Sequence, residues 1–116
     1  MSHLKIYHNP RCSKSRQTLA LIEDSGQDCE VIKYLETPPS EAELSQLLAL
    51  LGISARQLLR KGEAEYKELN LADESLDEAA LIKAMSEHPK LIERPIVSRD
   101  GEAVLGRPPE NVKALL

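Results

Sequence analysis

The dipeptide Asn9-Pro10 cuts the opening of the chain in two. Proline fixes its own φ, removes a backbone donor and pushes its predecessor out of helical geometry, so neither a strand nor a helix runs through this point. Before it, Leu4 and Ile6 alternate with Lys5, the period of a short strand. After it, Leu19, Ile22 and the residues between them form the apolar stripe of a helix that Gly26 can close. A second strand over 29–34, Cys29-Glu30-Val31-Ile32-Lys33-Tyr34, completes a strand–helix–strand unit. Such a unit is a right-handed parallel crossover, which commits the chain to an α/β plan.

The junction between strand and helix also carries the reactive chemistry. The loop Tyr7-His8-Asn9-Pro10-Arg11-Cys12-Ser13-Lys14-Ser15-Arg16 puts Cys12 on or just before the first helical turn. The first N–H groups of a helix have no internal partner, and the helix dipole favours negative charge there, so a thiolate is stabilised over a thiol. Arg11, Lys14 and Arg16 add positive charge, and the same N–H groups can hold an oxyanion beside the sulfur. Free cysteine is often buried and inert, but Pro10, Arg11, Ser13 and Lys14 describe a polar surround. His8 stands next to this loop and can hydrogen-bond Cys12 or help to deprotonate it. The other histidines lie apart, His3 near the start of the sequence and His88 before Pro89 at a helix end.

Further along, Pro38-Pro39 breaks the pattern, and Ser40 with Glu43 makes a capping box for a helix carrying Leu44, Leu47, Leu48 and Leu51, closed by Gly52. Ser54 opens a shorter helix over 55–61, stopped by Gly62. The charged stretch 63–74 has only Tyr66, Leu69 and Leu71 as apolar points. Ser75 and Glu78 suggest a second capping box, with a helix running to His88-Pro89. The region 40–87 is thus a helical insertion without strands. A strand through Ile96, Val97 and Ser98, a turn at Asp100-Gly101 and a returning strand at 103–105 form a hairpin. A last helix starts around Pro108-Pro109. The order β-α-β, helical block, β-β-α, with a cysteine after the first strand, is the thioredoxin-like (glutaredoxin-like) α/β plan, with a mostly helical insertion between the second and third strands.

Composition narrows the function classes. A chain of 116 residues is one ordinary domain, 1–116. With no Trp or Phe, three Tyr and a net charge of −4, it lacks the basic face and stacking surface of a nucleic-acid binder. Its longest apolar run, 47–51, is far short of the ~18 residues that cross a bilayer, and no signal segment opens the sequence, so a soluble, cytoplasmic protein is expected. The two cysteines are too few for a disulfide framework and match no zinc spacing, so no metal is expected. Cys29, at a strand start, is expected to serve packing.

Three arginines remain: Arg60 near the end of the short helix, Arg94 before Pro95, and Arg107 before Pro108. A guanidinium keeps its charge and matches an oxyanion with two parallel donors. In a thioredoxin-like sheet the loop before the third strand lies against the cysteine loop, which brings Arg94 to Cys12; from spacing alone, Arg60 reads as surface charge. The motifs Tyr7-His8-Asn9-Pro10-x-Cys12-x-x-Ser15-Arg16, Leu58-Leu59-Arg60-Lys61, His88-Pro89, Arg94-Pro95-Ile96-Val97 and Arg107-Pro108 closely resemble the glutaredoxin-coupled arsenate reductase (ArsC) family, including its small YfgD-like subgroup.

The resemblance implies that Cys12 attacks arsenate, that Arg60, Arg94 and Arg107 hold the oxyanion, and that His8 assists the cysteine. It further implies a supporting role for Asn9, Ser15, Arg16 and Pro95, with Pro95 cis. The partners it implies are arsenate or a similar oxyanion, glutathione as co-substrate, and glutaredoxin, with no bound cofactor. Ser15 occupies the position three after Cys12 where a resolving cysteine would stand, so an external thiol is needed. Two other classes share this fold. A monothiol glutaredoxin-like oxidoreductase would use Cys12 without the three arginines. A Spx-type redox regulator binding RNA polymerase often carries the second cysteine that Ser15 replaces. A phosphatase loop would want arginine six residues after the cysteine, where Thr18 stands.

Overall fold

The computed structural model describes residues 4–116; His3 lies outside them. The chain forms two compact units, one running up to Thr37 and again over Arg94–Leu116, the other spanning Pro38–Glu93.

The first unit is built on a four-stranded sheet of order β2-β1-β3-β4, with β1 Leu4–Tyr7, β2 Glu30–Ile32, β3 Ile96–Arg99 and β4 Glu102–Leu105. β1 runs parallel to β2, Ile6 facing Val31, and antiparallel to β3, Ile6 facing Val97. β3 and β4 form the hairpin expected from Asp100-Gly101, with Asp100 at φ 54°. Helix α1, Ser13–Asp24, makes the crossover, and Gly26 follows it at φ 75°, where a residue without Cβ bears no strain. The core of this unit is Leu4, Ile6, Ile22, Val97, Val112 and Leu115. This is the thioredoxin-like plan.

Two expectations for this unit change. β2 is shorter than 29–34, and the chain turns at once after Ile32. The closing helix is 3₁₀, Pro109–Leu115, because its buried residues Pro109, Val112 and Leu115 recur every three positions.

The second unit is helical. α2, Glu41–Leu51, has the expected capping box, with Ser40 Oγ accepting from Glu43 N–H, and ends at Gly52 in the left-handed region, φ 70°. α3, Ala55–Leu58, opens with a Ser54–Gln57 capping box but stops three residues before the expected end at 61. The reason is long-range: Leu59 turns extended and bridges Ile92, Arg60 N–H donates to Leu91 O at 2.7 Å, and Glu93 N–H donates to Leu58 O at 2.9 Å. Arg60 therefore lies beyond the helix. The stretch 63–74 contains α4, Ala64–Glu68, followed by Asn70 at φ 54° and a buried Leu71.

α5, Glu78–Glu87, is capped by Asp77 rather than by Ser75. Asp77 Oδ1 accepts from Ala80 N–H at 2.9 Å, whereas Ser75 is engaged by Asp73. The carboxylate of Glu78 accepts from Ala55 N–H at 2.8 Å and so tethers α3 instead of closing a box.

Candidate active site

Cys12 is the N-cap of α1, in extended geometry at φ −96° and ψ 122°. The turn before it is tied at several points. Cys12 N–H donates to Asn9 O at 3.0 Å, Arg11 N–H to Asn9 Oδ1 at 3.0 Å, and Arg16 Nη1 to Pro10 O at 2.9 Å. Arg16 thus binds the loop it follows. Cys12 is 8 % exposed, more enclosed than its polar neighbours in sequence suggest.

Residues distant in sequence reach this loop. Arg107 Nη1 lies 4.0 Å from Cys12 Sγ and donates to Arg94 O at 3.2 Å. Nε and Nη1 of Arg94 are themselves buried. The Arg94–Pro95 peptide is cis, as the motif implied, and so is Arg107–Pro108, which the sequence did not signal. Between these two bonds Gly106 N–H donates to Pro95 O at 2.9 Å. A Cβ on Gly106 would stand 2.5 Å from Thr18 Oγ1 and 2.7 Å from Pro95 Cγ, so the Arg107 loop lies flat against α1. Thr18 is fully buried and was missed as a site residue; its hydroxyl faces Lys14 O at 2.8 Å and Gly106 O at 3.4 Å. A polar residue on the apolar stripe of α1 was the available signal.

His8 is buried, and its Nδ1 is 2.6 Å from Ser15 Oγ. Ser15, fully buried, also accepts from Asn9 N–H at 3.0 Å. The imidazole of His8 thus meets Ser15, the residue that also fixes the backbone ahead of Cys12. Burial, then the positive charges of Lys33 and Arg16, hold the His8 imidazole below its ordinary pKa of 6.5, which favours its neutral form. A cleft of about 310 Å³ is lined by His8 together with Asn9, Pro10, Arg11, Lys33 and Glu36.

Cys29 packs, half-buried, against the sheet core, and burial followed by the Glu30 charge pushes its thiol up. That agrees with a packing role. Arg60 belongs to the helical unit, where its guanidinium pairs with Glu63 at 3.3 Å and Glu93 at 3.7 Å. Among the described residues, no group of three or more His, Cys, Asp or Glu could hold a metal, and no helix is long and apolar enough to cross a membrane.

Comparison with known proteins matches this arrangement. Residues 7–115 fit the sequence profile of the ArsC family. The chain is 61 % identical to the protein YfgD of Escherichia coli over 110 residues, covering 94 % of this chain and 92 % of the relative. It is 50 % identical to an arsenate reductase of Neisseria meningitidis, covering the whole of both chains. The structure of an arsenate reductase from Vibrio cholerae superposes with a TM-score of 0.95 at 56 % identity, covering 98 % of each chain. A cysteine at the N-cap of the crossover helix, arginine donors from either end of the hairpin and kinship over the full length agree: the chain belongs to the ArsC family.

Proposed function

We propose that the protein is an arsenate reductase that uses Cys12 as nucleophile and draws its electrons from glutathione and glutaredoxin. The Cys12 thiolate attacks arsenic; an As–S bond forms and an As–O bond breaks, the departing hydroxyl taking a proton from solvent to leave as water. Arg94 and Arg107, together with Arg60 on the strength of the family resemblance, neutralise the charge on the arsenate oxygens. Glutathione displaces a second oxygen as water. A glutaredoxin thiolate then attacks the glutathionyl sulfur, forming a mixed disulfide, and the electron pair of the glutathione–arsenic bond reduces As(V) to As(III). Water finally releases arsenite and returns Cys12.

The observation that carries this reading is the approach of Arg107 Nη1 to 4.0 Å from Cys12 Sγ while it also bonds Arg94 O. A guanidinium beside a helix-cap sulfur suits an oxyanion that must meet the nucleophile and its charge at once. The arsenate reductases of Neisseria meningitidis and Vibrio cholerae, at 50 % and 56 % identity, support the choice of arsenate. Ser15 supports the external thiol, since its hydroxyl is engaged by His8 and Asn9 where a resolving sulfur would be needed. His8 assists at one remove, by holding Ser15. A glutathione-dependent reaction fits the reducing cytoplasm.

Arg94→Ala and Arg107→Ala should each raise the KM for arsenate and weaken competitive inhibition by sulfate, with the fold kept. Arg94→Lys should recover only part, because lysine retains the charge but not the fork. Unchanged KM and inhibition in both alanine variants would refute the assignment.

A further inference from the structure

The loop that presents Arg107 is held by a side chain to which no role has yet been given. Asn111 stands in the 3₁₀ segment Pro109–Leu115, whose Val112 and Leu115 are embedded in the core beside Leu4, Ile6, Ile22 and Val97. The segment is therefore a fixed base. From it, Asn111 Nδ2 donates to Leu105 O at 3.1 Å and to Arg107 O at 3.2 Å. Both acceptors are carbonyl oxygens, which only the amide nitrogen can serve, so both of its protons are committed. Gly106 O, between them, faces Thr18 Oγ1 at 3.4 Å. Three successive carbonyls of the loop are thus oriented by side chains, two of them by Asn111.

We propose that Asn111 is a positioning residue for Arg107. By fixing the carbonyls on either side of Gly106, it sets the direction in which the Arg107 backbone launches its side chain toward Cys12. Oxyanion affinity then depends on Asn111 although Asn111 does not touch the anion. The proposal rests on the reading of Arg107 as an oxyanion ligand. Two-point contacts are sensitive to small displacements, so a loosened loop weakens binding even with the guanidinium present.

The test uses the full chain carrying Cys29→Ser, so that a single thiol reports. The measured quantity is the arsenate concentration, and separately the sulfate concentration, that halves the rate of Cys12 alkylation by iodoacetamide. Asn111→Ala and the similarly sized Asn111→Leu should each raise it about three- to tenfold, the range expected for losing one or two solvent-exposed hydrogen bonds. In an Arg107→Ala background, the same changes should add nothing. Circular dichroism at the assay temperature checks that each variant is folded. The proposal is overturned if Asn111 variants protect like the parent while Arg107→Ala does not. It is equally overturned if the loss is the same with Arg107 already removed, since Asn111 would then not act through that residue. No response to Arg107→Ala itself would refute the reading of Arg107, and the proposal with it.

Discussion

Replacing Ser15 with alanine tests the packing behind the reactive loop. Ser15 is fully buried, accepts from Asn9 N–H at 3.0 Å and meets His8 Nδ1 at 2.6 Å. Alanine leaves both partners in place without the hydroxyl. A buried polar group left without its bond costs about 1–3 kcal/mol, and the Asn9 amide is only partly buried, so the loss should total about 2–4 kcal/mol. For a domain of this size that corresponds to a fall in Tm of roughly 6–15 °C. Urea denaturation followed by circular dichroism reads the free energy, and a melt in the same buffer reads Tm. Ser15→Thr, which keeps the hydroxyl, tests whether overpacking alone is as harmful. A loss below about 0.5 kcal/mol in Ser15→Ala would place the variant among ordinary surface changes and refute the claim that Ser15 organises the loop.

Three further outcomes follow from other residues. Because burial and Glu30 push the Cys29 thiol up, iodoacetamide near pH 7 should label Cys12 well before Cys29; peptide mapping showing Cys29 first, or both together, would contradict this. His8 has its pKa lowered by folding, so the unfolded state binds the proton more readily; the stability His8 permits is complete above pH 6.5 and declines as the pH falls toward the lowered folded value. His8→Gln should flatten that part of the pH–stability curve, and an unchanged slope between pH 7.5 and 5 would be inconsistent with it. Asp77→Ala should cost about 1 kcal/mol as the loss of an N-cap, and Ser75→Ala less than half as much; the reverse order in urea denaturation would restore Ser75 as the cap.

The features legible in the sequence are those decided by neighbours along the chain. Asn9-Pro10 placed Cys12 at a helix start, Ser40 and Glu43 announced their capping box, and Asp100-Gly101 announced the hairpin. What the sequence did not disclose was decided by partners far away. α3 ends early because Leu59 finds Ile92, and Glu78 leaves Ser75 because it finds Ala55. The closing 3₁₀ segment was readable in principle from the three-residue recurrence of Pro109, Val112 and Leu115, a period easily taken for that of an α-helix. Within the candidate site, Cys12 followed from local physics, and Arg94 from the thioredoxin-like topology. Arg107 and the cis bond at Pro95 came through the family motif. Gly106 and Asn111 carried no such signal, because their roles exist only as contacts of the folded loop, and Thr18 was marked only as a polar residue on the apolar stripe of α1.

The central claim is that Cys12 forms an arsenic adduct which an external thiol must resolve. Its most direct measurement is turnover of arsenate to arsenite with glutathione and glutaredoxin, run beside thioredoxin alone, with intact mass spectrometry of the trapped protein. The account predicts turnover only with the glutathione system, a glutathione-bearing adduct on Cys12, and neither in Cys12→Ser. Turnover supported by thioredoxin alone through a Cys12–Cys29 disulfide, or arsenite production that survives Cys12→Ser, would contradict it.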